Sequence, residues 1–317
     1  MNKIYNDIEI NRILNNIKSI GDIINLDNKW NEIRHNNILQ KLYNIITPLK
    51  KLNNMIGLDS IKKSLFKKII YYVRNPDNED YLHTVISGPP GVGKTELSKI
   101  YADIFVKLGI LKNDKFIEIK RDDLIAKYLG QTAPKTRKIL DEAMGGVLFL
   151  DEAYSLGNEE KRDSFSKEAI DMINQYLSEK KNEFMMIIAG YNDELEKCFF
   201  SFNPGLKRRF SSYYKIDKYT CNELVEIFKF KIKNSKYILN INDKDLNNFF
   251  KSNYSNFKYF GGDIEKIISE IKYSQSFRTF SENIESNDIT YKDLQDAFKS
   301  FKSNLNDKIT IPFGLYV

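Results

Sequence analysis

Apolar positions recur at helical spacing through the first fifty residues: Ile4, Ile8, Ile13, Leu14 and Ile17, then Ile33, Leu39, Leu42, Ile45 and Ile46. The spacing predicts two or three helices, separated near Gly21-Asp22 and Asn25–Asn28, with Pro48 marking a boundary. From Leu52 to about Tyr214 the pattern changes. Short, nearly continuous apolar runs alternate with amphipathic stretches, as in a doubly wound α/β domain. Strands are predicted at Thr84–Ser87, Lys115–Lys120, Val147–Leu150, Met185–Ala189 and near Tyr213–Ile216, and a helix at Glu96–Leu108. Beyond Asp217 strand signals are few. Tyr219–Lys233, Asp243–Asn253, Asp263–Phe277 and Tyr291–Lys302 read as helices, with Thr220, Asp243, Asp263 and Thr290 as caps or near-caps. The pattern divides the chain into a helical region (1–51), an α/β domain (52–216) and a small helical domain with a tail (217–317). The tail, Ile309 to Val317, is apolar enough to pack on that helical domain or dock on a neighbour.

Composition narrows the class. The chain has 317 residues, 42% of them hydrophobic and 13% aromatic, which suits a folded protein. Its net charge of +6 sets 49 basic against 43 acidic residues along the whole length, a surplus too mild and dispersed to demand nucleic acid. Lys62-Lys63 and Lys67-Lys68 sit at helical spacing and read as a solvated face. Cys198 and Cys221 are not spaced as a metal or redox motif. No run is long enough to span a bilayer, and the N-terminus lacks an apolar signal core, so a soluble protein of a reducing intracellular compartment is expected.

Two motifs carry chemistry. Gly88-Pro89-Pro90-Gly91-Val92-Gly93-Lys94-Thr95 joins a predicted strand to a predicted helix. Such a turn aims backbone N–H groups and the helix dipole at one point, where triphosphate oxygens are held. Gly91 and Gly93 allow close backbone approach, and Pro90, Val92 and Glu96 complete the binding stretch. Lys94 is expected to reach the β- and γ-phosphates of a nucleotide, and the Thr95 hydroxyl to ligate Mg²⁺. The second motif, Gly145-Gly146-Val147-Leu148-Phe149-Leu150-Asp151-Glu152, is a buried strand ending in two carboxylates. Asp151 is placed to hold Mg²⁺, and Glu152 to polarise the attacking water as general base.

Further segments give these motifs a family. Asn53-Asn54-Met55-Ile56-Gly57-Leu58 resembles the segment that encloses adenine in AAA+ ATPases. Gly130-Gln131-Thr132-Ala133-Pro134-Lys135-Thr136, Asp151-Glu152-Ala153-Tyr154, Ala189-Gly190-Tyr191 and Asn203-Pro204-Gly205-Leu206 resemble the subgroup containing the red-type rubisco activase CbbX and stage V sporulation protein K. The resemblance covers roughly residues 53–270. It implies a P-loop NTPase of the AAA+ type, α/β with a parallel sheet and helices on both faces, preceded by a short helical region and followed by a helical lid. By the same resemblance Ile56 and Gly57 contact the nucleotide, Asn192 is the sensor-1 residue that positions water, and Arg209, with Arg208 beside it, is the arginine finger. A shift of one residue along Tyr191-Asn192-Asp193 stays open. Tyr128 and Leu129 belong to a pore loop that grips polypeptide, and the chain self-associates into a ring, expected to be hexameric. In the lid, Phe260-Gly261-Gly262-Asp263-Ile264 puts Ile264 where the activase type has an arginine, and Gly262 near the adenosine side. The function implied is ATP-driven remodelling of a protein. A nucleic-acid loader and a nucleotide-gated scaffold are the alternatives.

Overall fold

The computed structural model describes residues 7–33, 35–76, 80–157 and 163–306; the apolar tail lies outside them. The chain divides into two compact units. One comprises the residues up to Pro89 with Gly93–Asp217; the other comprises Pro90–Val92 and the residues from Lys218 onward.

The first unit begins with short helices: α1 (Asp7–Asn16), α2 (Ile20–Ile24), α3 (Trp30–Ile33), α4 (Asn37–Asn44), α5 (Ile46–Asn54) and α6 (Asp59–Arg74). Gly21-Asp22 does not separate helices here. Ser19 accepts the Asp22 N–H as an N-cap, so both residues fall inside α2. Pro48 is no boundary either: it occupies the first turn of α5, where a missing N–H costs no helical bond. The lysines of α6 do not form one solvated face. Lys62 donates to the Asn53 and Met55 carbonyl oxygens at the end of α5. Lys68 turns inward to the Tyr101 hydroxyl (2.8 Å) and Ser212 Oγ (2.5 Å).

The remaining elements are β1 (Thr84–Ser87), α7 (Lys94–Lys107), β2 (Phe116–Ile119), α8 (Arg121–Leu124), α9 (Thr132–Glu142), β3 (Val147–Leu150), α10 (Ser164–Glu179), β4 (Met185–Gly190), α11 (Asn192–Glu194), α12 (Pro204–Lys207) and β5 (Ser212–Lys215). The five strands form one parallel sheet in the order β2-β3-β4-β1-β5. Alternate side chains pack to opposite faces. Val85, Leu148, Leu150, Met186 and Ile188 join Leu140 of α9 and Ala169, Ile170, Ile173 and Leu177 of α10 in one core. On the other face Thr84 meets Tyr101 of α7, with 3.2 Å between the hydroxyls. With both faces covered, β1, β3 and β4 are fully buried and read as apolar runs. His83, just before β1, is buried and accepts the Met186 N–H at Nδ1. Burial pushes its pKa down to about 3, so the ring is neutral.

The second unit contains α13 (Cys221–Lys233), α14 (Asp243–Asn253), α15 (Phe260–Ser281) and α16 (Tyr291–Asn306). A parallel pair of two-residue strands, β6 (Ile238–Leu239) and β7 (Asp288–Ile289), lies beside them. These strands are too short to leave a periodic signal. Thr220 caps α13 through a capping box with Glu223, and Thr290 makes the same reciprocal contact with Asp293. Two predicted caps shift. Asn242, not Asp243, caps α14. Asp263 lies within the first turn of α15, where its carboxylate accepts the Tyr259 N–H at 2.7 Å.

Candidate nucleotide-hydrolysis site

The parallel sheet brings three sequence motifs to its carboxyl edge. β1 ends at Ser87 and runs into the glycine-rich turn; neighbouring β4 ends at Gly190, before Asn192; β3, beside β4, ends at Leu150, before Asp151 and Glu152. Within the turn Gly91 (φ +73°) and Gly93 (φ +88°) adopt left-handed conformations that other residues rarely take. Gly93 caps α7, so the helix begins at Lys94, two residues earlier than the apolar pattern predicts, with Thr95 and Glu96 in its first turn. A first turn with free N–H groups suits an anion.

Lys94 Nζ donates to the Gly88 and Pro89 carbonyl oxygens, each at 2.9 Å, and lies 5.4 Å from the centre of the Tyr191 ring. Burial lowers its pKa, against the opposing pull of Asp151 and Glu152. Burial also raises Asp151, despite the Glu152 N–H donated to its carboxylate (3.0 Å). A half-buried carboxylate kept above its ordinary range, with a second acid beside it, fits a site completed by a cation. Ile56 and Gly57 precede α6 in a tight turn, with Gly57 at φ +69°.

Glu152 itself takes a left-handed conformation (φ +52°, ψ +44°) that turns it away from the strand direction. Strained backbone of this kind collects at functional sites. Tyr154, two residues on, donates its hydroxyl to the Glu152 carboxylate, and its ring stacks on Tyr191 with centroids 5.4 Å apart. Gly190 makes the room: a Cβ there would lie 2.8 Å from the Tyr154 ring. Motif reading found Tyr154 and Gly190 as family marks only; their contact was not visible in it. Asn192 is exposed at the start of α11, its amide 3.4 Å from the Asp193 carboxylate.

Two other predicted groups lie farther from the sheet edge. Arg209 is held within its own chain: Nε donates to Ser178 Oγ and Nη1 to the Gly205 carbonyl oxygen, each at 2.5 Å. Arg208 is exposed. Tyr128 and Leu129 project from the loop between α8 and α9, with 69% and 78% of their surfaces exposed. The residues after them pin that loop. Thr132 accepts the Ala126 N–H, Lys135 Nζ binds the Asp122 and Ile125 carbonyl oxygens at 2.7 Å, and Thr136 donates to the Leu124 carbonyl oxygen. The string Thr132-Ala133-Pro134-Lys135-Thr136 is therefore a clamp beneath a displayed apolar tip.

In the second unit Gly261 N–H donates to the Gly91 carbonyl oxygen (3.0 Å), and Gly262 lies in the first turn of α15. Ile264 is fully buried among apolar residues, and exposed Lys266 lies 3.5 Å from the Asp263 carboxylate. Ile264 is thus core packing.

Comparison with known proteins agrees with this geometry. Residues 84–218 match the family described as ATPase family associated with various cellular activities (AAA). A cfxQ-like protein of Acanthamoeba polyphaga mimivirus is 41% identical over 95% of this chain and 75% of its own length. Stage V sporulation protein K of Bacillus subtilis is 33% identical over 74% of each chain. The chloroplastic ribulose bisphosphate carboxylase/oxygenase activase of Cyanidioschyzon merolae is 39% identical over 49% of this chain and 53% of that one. The crystal structure of the FIGL-1 AAA domain in complex with ADP shares the fold, with a TM-score of 0.57 at 19% identity over 80% of this chain and 86% of that one. Among the described residues no helix is long and apolar enough to cross a membrane. The chain is an ATPase of the AAA family, within its CbbX- and stage V sporulation protein K-like subgroup.

Proposed function

We propose that this ATPase remodels a protein substrate as an oligomeric ring, using the Tyr128–Leu129 tip as its grip. The observation that carries the proposal is that tip. Two large apolar side chains are held out in solvent by a buried polar clamp, an arrangement with no role in the chain's own core. Aromatic and aliphatic surfaces of this kind engage extended polypeptide without demanding a particular sequence. Relatives named as an activase and a sporulation protein favour a remodelling role.

In this reading the turn N–H groups and Lys94 bind the ATP phosphates, and Thr95 and Asp151 hold Mg²⁺, which would neutralise phosphate charge. Ile56, Gly57, Pro90 and Gly262 contribute to holding the nucleoside. Glu152 accepts a proton from the attacking water, Asn192 orients that water, and Arg209 serves the site of a neighbouring subunit. A finger supplied in trans typically raises turnover by about 10³–10⁵.

The test is ATPase rate per subunit against protein concentration, for wild type, Arg209→Ala and Tyr128→Ala, with ring size followed by mass photometry. The expected result is a rate that climbs as six-membered rings form, collapses in Arg209→Ala with ATP still bound, and persists in Tyr128→Ala while remodelling is lost. A rate independent of concentration and of Arg209 would sink the ring reading.

A further inference from the structure

Pro90, Gly91 and Val92, the middle of the glycine-rich turn, belong to the second unit rather than to the sheet. Two groups of that unit hold them by their carbonyl oxygens. Gly261 N–H donates to Gly91 at 3.0 Å, and the Tyr219 hydroxyl donates to Val92 at 3.0 Å in a buried hydrogen bond. The approach is close enough to require glycine: a Cβ on Gly91 would lie 1.9 Å from the Tyr259 carbonyl oxygen.

Both donors are themselves fixed. Tyr219 stands just before Thr220, the N-cap of α13, and its own carbonyl oxygen accepts the Tyr254 hydroxyl at 2.5 Å. Its ring meets Phe260 edge-on, with centroids 6.2 Å apart. Burial pushes its pKa up to about 12, so the hydroxyl keeps the proton it donates. Phe260 precedes the other donor at φ +42°, a conformation that a bulky residue rarely takes. Backbone of this kind persists where its surroundings impose it, and it collects at functional sites.

Anchoring a carbonyl also aims an N–H. In a trans peptide the C=O and the N–H of the next residue point in opposite directions. Holding the Gly91 oxygen therefore turns the Val92 N–H to the far side of the turn, and holding the Val92 oxygen does the same for the Gly93 N–H. Among the described residues neither N–H donates to a backbone carbonyl.

We infer that the Tyr219 hydroxyl and the Gly261 N–H are positioning groups for nucleotide, orienting the Gly93 and Val92 N–H groups toward its phosphates, given that the turn is the phosphate site. The hydroxyl is the half that a substitution can remove cleanly.

The experiment is calorimetric titration of the full chain with Mg²⁺ and ADP, for wild type, Tyr219→Phe, Gln275→Met and Lys94→Ala. Gln275→Met is the packing control: buried in α15, Gln275 donates to the Ser286 carbonyl oxygen at 2.6 Å and touches no part of the turn. Tyr219→Phe keeps the ring and should weaken ADP about three- to tenfold. It should raise KM for ATP by a similar factor with kcat within about twofold, the sign of lost ground-state binding. Gln275→Met should bind within twofold of wild type, and Lys94→Ala should lose at least tenfold. Wild-type affinity in Tyr219→Phe, with Lys94→Ala impaired, would overturn the positioning role alone. An equal loss in Tyr219→Phe and Gln275→Met would reduce the tyrosine to packing and overturn it too. Wild-type affinity in Lys94→Ala would remove the turn as the phosphate site and the positioning role with it.

Discussion

Lys68 offers a quantitative test of the packing on the α7 face of the sheet. Its ammonium lies among Tyr72, Tyr101 and Phe105, with the ring centroids 5.5–5.8 Å away, and its hydrogen-bond partners there are two neutral hydroxyls. Burial lowers its pKa from the ordinary 10.5 to about 8, outweighing the influence of Tyr214 and Asp80. In the unfolded chain it titrates near 10.5. Between those values the unfolded state binds the extra proton, so stability rises with pH. At about 1.4 kcal/mol per pH unit, the gap corresponds to a penalty of about 3 kcal/mol, fully present below pH 8 and relieved progressively above it. Above about pH 10 unfolded tyrosines ionise, while folded Tyr101 is pushed up to about 12, and stability falls again. The informative window is therefore pH 7.5–9.5. Urea unfolding across it should show wild type gaining about 1–2 kcal/mol. Lys68→Met keeps the stem's volume, leaves Tyr101 its Thr84 contact and removes the charge. Lys62 and Lys94 shift in the same direction but are common to both proteins, so the difference isolates Lys68. The variant should be more stable at pH 7.5, and its margin over wild type should narrow by about 1–2 kcal/mol by pH 9.5. Parallel curves for the two proteins would refute a charged, desolvated Lys68.

Four further substitutions test other contacts. With Glu152 as the proposed base, Tyr154→Phe removes the hydroxyl that orients it; kcat for ATP should fall about 3- to 30-fold with KM within twofold, and Gly190→Ala should do the same by displacing the Tyr154 ring. Gly157→Ala would put a Cβ 1.7 Å from the Cys198 carbonyl oxygen and 2.7 Å from the Phe202 ring; a loss of about 2 kcal/mol or more in urea unfolding is expected, and a neutral result would mean that this contact relaxes freely. Asp293 is buried against Arg278, with Nε–Oδ1 at 2.9 Å; burial opposes its charge, but Arg278 and Thr290 hold its carboxyl below the usual range. The stability it contributes is present above the unfolded pKa and lost as pH falls through the folded one, so Asp293→Asn should cost about 2–4 kcal/mol at pH 7 and less below pH 3 by chemical denaturation.

The sheet was legible because two-sided burial writes itself as short apolar runs. β1 and β3 fall where the pattern places them, and β4 extends one residue further. The turn from Gly88 to Thr95 was legible because few residues tolerate its backbone. What escaped the pattern was set by single contacts. The start of α7 at Lys94 depends on Gly93 acting as a left-handed cap, whereas apolar periodicity begins only where side chains reach the core. Pro48 looked like a breaker because the N–H it lacks is superfluous only in a first turn, and the position of that turn depends on the burial of Ile46, Leu49 and Leu52. Lys68 is spaced like its exposed neighbour Lys67, and only the rings of Tyr72, Tyr101 and Phe105 distinguish it. The stacking of Tyr154 on Tyr191 requires β3 and β4 to be adjacent, which no local pattern records.

The two arginines after α12 show how a motif and a geometry constrain one another. The family pattern selects Arg209 as the finger, yet its guanidinium is bonded to Ser178 on α10 and to Gly205 on α12. Arg208 is the exposed one. For Arg209 to act on a neighbour, those bonds must be exchanged for phosphate contacts. Their net worth is about 1.5–3 kcal/mol each for a charged donor, comparable in sum with the ~4–7 kcal/mol that a rate factor of about 10³–10⁵ represents, so the phosphate contacts must replace them in full. Removing Arg209 would therefore do two things: withdraw a charge from the neighbour's site and loosen α12 from α10 in its own chain. Arg209→Lys separates them, because a lysine can keep one bond to Ser178 but lacks the planar fork that suits a phosphoryl group. If stability survives in that variant while turnover falls, the charge on the neighbour is the function. If stability and turnover fall together, the arginine is a tether, and exposed Arg208 becomes the finger to test.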